Sequence, residues 1–160
     1  MWEIRTILCA ADFSACSRYA FDVARALARD SHARLVVLHV ATPPPFVTWA
    51  ELERALDRRD GYRAELAHKL RESYPDDGLG AVEYRVEDGD PATEIAGVAR
   101  EIGCDLVVTG THGRTGFDHL LLGSVAEKVL RKAPCPVLTV KIPSGAQERA
   151  PALKEGVPPR

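Results

Sequence analysis

The sequence has no long apolar run. Its uninterrupted hydrophobic stretches reach only about five residues, far short of the ~20 that a helix needs to cross a bilayer. The opening MWEIRTILCAADFS carries an acidic residue where a signal peptide would carry a hydrophobic block, so a cytoplasmic protein with no membrane partner is expected. An excess of one charge is also missing. The 21 basic residues stand against 23 acidic ones, a formal net charge of −2, which gives no general attraction to nucleic acid, and none is expected as a partner. Cysteine is sparse and unpatterned: Cys9, Cys16, Cys104 and Cys135 form neither a CxxC pair nor a metal-ligand spacing. Free, mostly buried thiols follow from that, because a chain of this size folds without disulfides.

Two familiar phosphate loops are absent as well. A Walker A loop places Lys directly after its last glycine, whereas Gly123 is followed by Ser124, and a dinucleotide fingerprint needs GxG after the first strand, where this chain reads AADFS.

What is present is an alternation. RTILCAA (5–11) and ARLVVLHVA (33–41) are short apolar runs suited to strands covered on both faces. Between them Ala20, Phe21, Ala24, Leu27 and Ala28 form a helical stripe, with Ser14 placed to cap its start. The triple proline of PPPF (43–46) interrupts any sheet or helix. Beyond it Trp49, Leu52, Leu56, Tyr62, Leu66 and Leu70 recur at helical spacing up to about Tyr74, with Gly61 a candidate kink or break. AVEYRVEDG alternates Val82, Tyr84 and Val86 with charged residues, as an edge strand does. Asp90 and Pro91 start a helix that Gly103 ends. DLVVTG, SVAEKVLRKA and PVLTVK then read as strand, helix and strand. Five strands alternating with helices imply an α/β fold of three layers, a parallel sheet between helices. The proline-rich residues 143–160, with few large apolar side chains, are expected to form a disordered tail on a single domain of residues 1–142.

The segment GTHGRTGFDHLLLGS (110–124) joins a strand end to a helix start. Gly110 and Gly113 would let backbone amides approach a ligand, and the helix start at Ser124 and Val125 offers free amides and a positive dipole end to an anion. A second reading stays open: Ser124 with Glu127 three residues on has the pattern of a capping box that serves only its own helix. His112 and Arg114 read as neighbours of the phosphate loop, since no Ser, Cys or second acid is paired with His112, and His39 in its apolar strand reads as a satisfied core histidine.

The stretch GTHGRTGFDHLLLGSVAEKVLRKAPCPVLTVK, with ILCAADFS and LVVLHV, closely resembles the universal stress protein family over roughly residues 3–142, in the subclass that binds ATP through G-x2-G-x9-G-[S/T]. The resemblance implies a Rossmann-like fold with a five-stranded parallel sheet in the order 3-2-1-4-5, and a ligand at the switch point between strands one and four. It further implies that Ala10, Asp12 and Val40 flank adenosine, while Gly110, Gly113, Gly123, Ser124 and Val125 follow ribose and phosphates. Thr109 and Arg114 complete the expected ATP-binding set. Many relatives carry proline where this chain has Ala10. Asp12 either accepts hydrogen bonds from the nucleoside, sits near a Mg²⁺ bridging the phosphates, or merely supports the turn before the first helix.

The function implied is that of an ATP-binding, nucleotide-dependent switch or sensor in the stress response, homodimeric through its fifth strand. Residues 43–52, from their place after the second strand, are a candidate lid over adenine. No catalytic residue is assigned. A slow ATPase or phosphotransferase, and a dimeric adaptor that binds no nucleotide, are the alternatives.

Overall fold

The computed structural model describes residues 3–42, 59–78, 82–111 and 122–143. In chain order these form β1 (Thr6–Ala10), α1 (Ala15–Ser31), β2 (Arg34–Ala41), α2 (Arg59–Ser73), β3 (Val82–Asp88), α3 (Pro91–Glu101), β4 (Leu106–Gly110), α4 (Ser124–Lys132) and β5 (Val137–Val140). The strands form one parallel sheet in the order β3-β2-β1-β4-β5, the order expected from the sequence resemblance.

Strand periodicity divides the core into two layers. On one face Ile7, Cys9, Leu35, Val37, Leu106 and Val108 meet Ala20, Phe21, Ala24 and Ala28 of α1 and Leu66 and Leu70 of α2. On the other, Leu8, Val36, Leu38, Val40 and Val107 meet Ile95, Val98 and Ala99 of α3 and Val129 of α4. Alternate residues of one strand thus serve opposite layers, which is why these strands are continuously apolar.

Local chemistry sets the element ends. The Ser14 side chain caps α1 by accepting the Ser17 amide, and Asp90 caps α3 by accepting the Thr93 amide, with Pro91 following it. Ile102 closes α3, and Gly103 next to it takes the left-handed conformation, φ +61°. The helix over Arg59–Ser73 runs through Gly61 unbroken. Leu66 and Leu70 are buried there as the spacing predicts, but Tyr62 is 53% exposed. Trp49, Leu52, Leu56 and the candidate lid lie outside the described residues, as does all but Pro143 of the expected tail. All four cysteines are free thiols, three of them buried.

The strand order reverses direction at β1. The chain winds outward from β1 through β2 to β3, then crosses back to place β4 on the other side of β1. The C-terminal ends of β1 and β4, at Ala10 and Gly110, therefore open onto one crevice.

Candidate functional site

That crevice is a cavity of about 480 Å³, within the size range of small-molecule sites. Its floor comes from the ends of β1, β2 and β4, and one wall is the start of α4. Of the residues singled out in the sequence, Ala10, Asp12, Val40, Thr109, Gly110, Gly123, Ser124 and Val125 all line it. Gly113, Arg114 and His112 lie outside the described residues.

The turn after β1 is tied at every amide. Ala11 N–H donates to the Leu38 carbonyl (2.8 Å) and Asp12 N–H to Ser17 Oγ (3.3 Å). Phe13 N–H donates to Tyr74 Oη (2.9 Å) and Ser14 N–H to Asp12 Oδ1 (2.9 Å). His39, 8% exposed, holds the Ala11 carbonyl through Nδ1 at 2.8 Å, the satisfied role expected of it. Phe13 itself adopts a left-handed backbone, φ +66°, which costs a bulky residue on the order of 1–3 kcal/mol and persists only where surrounding contacts enforce it. With its amides consumed internally, this turn has no backbone donors left for phosphate. What it offers is the half-buried Asp12 carboxylate, whose Oδ1 supports the turn and whose Oδ2 accepts no hydrogen bond among the described residues.

The opposite wall has the complementary character. Gly123, not Ser124, is the N-cap of α4, and it makes no side-chain capping bond. Its own N–H donates to the Thr111 carbonyl (2.6 Å), and its carbonyl takes the first intrahelical bond, from Glu127 N–H at 2.9 Å. Ser124 is the first helical residue and is exposed, and Glu127 pairs with Arg131 at 2.8 Å. The capping box is thus not formed. The amides of Ser124, Val125 and Ala126, together with the Ser124 hydroxyl, have no acceptor among the described residues, and they lie at the positive end of a nine-residue helix.

Gly110 is required for a different reason from the one its loop suggests. A Cβ at this position would lie 2.9 Å from Cys16 Sγ and 3.2 Å from the Cys16 carbonyl carbon. The missing side chain lets the start of α1 pack against the end of β4, and Gly110 meets the cavity through its backbone.

The cavity walls between these two polar ends are apolar: Leu38, Val40, Leu66, Ile95 and Ala10. Tyr62 stands among the lining residues, half exposed. Sequence reading missed Ser17, Tyr62, Thr111 and Tyr74. The helical spacing flagged Tyr62 only as core, and no local pattern links Tyr74 to a turn some sixty residues away. Burial pushes the Tyr74 hydroxyl up to about 12, so it remains protonated at neutral pH.

For a divalent cation the described residues hold no group of three or more ligating side chains. One unengaged Asp12 oxygen suits a Mg²⁺ that arrives already bound to phosphates, since this ion keeps much of its water and takes one or two carboxylates. For a nucleotide, the donor set fits: unpaired amides for phosphate, an apolar middle for a base, and a carboxylate for hydroxyl or amino hydrogens.

Residues 3–141 match the model of the universal stress protein family. A universal stress protein of Methanocaldococcus jannaschii is 36% identical over 123 residues, 73% of this chain and 70% of that protein. Among solved structures, universal stress protein UspA from Lactobacillus plantarum superimposes with a TM-score of 0.72 at 23% identity, covering 86% of this chain and 98% of that one. A universal stress protein crystallised in complex with cAMP does so with a TM-score of 0.61 at 26% identity, covering 86% and 97%.

Proposed function

This chain belongs to the universal stress protein family, and from that membership we propose that it binds ATP in the β1/β4 crevice and acts as a nucleotide-dependent switch or sensor in the cytoplasm. One observation carries the reading. The amides of Ser124, Val125 and Ala126 and one Asp12 oxygen, none of them hydrogen-bonded among the described residues, belong to residues that line a single cavity. An anion with a polar, partly apolar body satisfies both ends at once. The family member in complex with cAMP supports an adenine nucleotide as that ligand.

Phosphates accept from the α4 amides and the Ser124 hydroxyl, where the helix dipole favours negative charge. Val40, Leu38 and Ala10 cover the base, and Asp12 accepts from the nucleoside or, with bound Mg²⁺, contributes one oxygen to the ion. Gly113 and Arg114 belong to the same phosphate end by resemblance. The ligand itself supplies the negative charge, and Mg²⁺, when bound, neutralises part of it.

Charge-assisted hydrogen bonds contribute about 1.5–3 kcal/mol each, so two such ends with adenine burial support micromolar affinity, near −8 kcal/mol. Isothermal titration of nucleotide-stripped protein with ATP and Mg²⁺ tests this. A micromolar dissociation constant is the expected result, and no heat at millimolar ATP would sink the reading. Phosphate release should stay at background, because γ-phosphate transfer needs a base, a placed water and a cationic clamp together.

We also assign the exposed edge of β5 to a homodimer contact. β5 is an edge strand of the sheet and Leu138 on it is 37% exposed, and an apolar edge of this kind needs cover. Light scattering at micromolar concentration should give twice the chain mass, and a monomeric mass would count against the assignment.

A further inference from the structure

We propose that Tyr74 is a positioning residue for the ligand site: through Ser17 and Phe13 it sets the turn that aims the Asp12 carboxylate into the crevice. The inference rests on the nucleotide-binding reading above and names a residue outside the cavity lining.

One proton arrangement gives both hydroxyl hydrogens of this network an acceptor. Ser17 Oγ donates to the Ser14 carbonyl (3.1 Å) and so has given its single hydrogen. It also lies 2.7 Å from Tyr74 Oη, and in that arrangement the tyrosine is the donor in the pair. Tyr74 Oη in turn accepts Phe13 N–H, and Ser17 Oγ accepts Asp12 N–H. One hydroxyl thus bonds Phe13 directly and orients the serine that holds Asp12.

Tyr74 is itself held firmly. It is fully buried, its carbonyl accepts the Tyr84 hydroxyl from β3 at 2.6 Å, and its ring meets Phe21 edge-on at 5.4 Å. One turn earlier in α2, the Lys69 ammonium sits 4.5 Å over the Phe13 ring. The end of α2 and the residue after it therefore grip the turn at two points. Capping α1 does not require this, since the Ser14 side chain already accepts the Ser17 amide. The left-handed backbone at Phe13 does require an outside contact, because that conformation does not persist unaided. What the contact fixes is the direction of the residue before it.

The test is a double-mutant cycle on the full chain, read as ATP affinity by titration with Mg²⁺ present. Asp12→Asn keeps an oxygen to accept Ser14 N–H and removes the charge; Tyr74→Phe keeps the ring in the core and removes the hydroxyl. Each single variant is expected to weaken ATP about tenfold, and the double variant little more than either, because a misaimed carboxylate has little left to lose. A double variant weakened by about a hundredfold, the product of independent effects, would overturn the proposal, as would unchanged affinity in Tyr74→Phe. If Tyr74→Phe does not fold well enough to titrate, Ser17→Ala cuts the same relay with the tyrosine in place and enters the same cycle under the same criteria. In the unliganded protein the Phe13 amide should also exchange with solvent faster in Tyr74→Phe than in the wild type. A wild type that does not bind ATP would sink the nucleotide reading and this inference together, whereas tight wild-type binding with an additive cycle sinks this inference alone.

Discussion

Gly110 shows how a residue's environment reassigns its role. Its place after a strand suggests close approach to a ligand, yet the atoms a side chain would strike belong to Cys16 in α1. Gly110→Ala should therefore destabilise the protein by about 1–3 kcal/mol through overpacking, measured as the shift in urea midpoint. Cys16→Ala in the same chain should recover part of that loss by removing the sulfur. A Gly110→Ala variant of unchanged stability but weakened ATP binding would return the glycine to the ligand side. Ser124 carries the complementary lesson: one residue's shift in register, from N-cap to first helical position, converts a self-satisfied cap into an exposed hydroxyl beside amides that have no acceptor among the described residues.

Among the elements, α2 has the weakest amphipathic signal in its sequence but a well-defined anchor in space. Leu66, Leu70 and Tyr74 are buried at successive turns against the layer that contains Phe21 and Val86, while the remaining faces carry charge. Such a helix holds its place through a few large side chains. Leu70→Ala removes one that is completely buried and should cost about 2–5 kcal/mol from lost transfer energy and the residual cavity, read by chemical denaturation. Because Tyr74 follows directly on α2, the same variant should weaken ATP binding, whereas a comparable loss from Val98→Ala in α3, buried but outside the cavity lining, should leave affinity closer to wild type. Equal binding losses from both helices would mean that the site depends on global stability only. α4 behaves differently: only Ala126 and Val129 are buried along it, and its start is tied to the end of β4 by the Gly123 N–H bond to the Thr111 carbonyl.

For the whole molecule, the site is a product of topology. Asp12 and Ser124 are more than a hundred positions apart and meet because the crossover to β4 puts its end beside β1. The interior also sets a pH response. Burial raises the thiols of Cys9 and Cys104 to about 12 and does the same to Tyr74. In the unfolded chain these groups titrate at ordinary values, near ~8.5 for thiol and ~10 for tyrosine. Between those values and about 12 the unfolded state loses protons that the folded state keeps, so stability is full below ~8.5 and falls as pH rises. Thermal melts from pH 7 to 11 should show a progressive decline, reduced in Cys9→Ala and Cys104→Ala relative to wild type. A flat profile would mean that these thiols are not shielded from solvent.

The sequence by itself determined the kind and order of the elements, because strand and helix periodicity and capping chemistry are local. Ser14, Asp90 with Pro91, the doubly apolar strands and the alternating edge strand could all be read without a fold. The residues at the two ends of the candidate cavity were legible too, as an acid after the first strand and a glycine-serine pair before a helix, since each is a short pattern. Only the tertiary structure decided which amides have no acceptor among the described residues, why Gly110 has no side chain, that Tyr62 lines the cavity instead of the core, and that Tyr74 holds the Asp12 turn. Those outcomes depend on which distant side chains fill the remaining space and hydrogen-bonding capacity, and no local spacing encodes that.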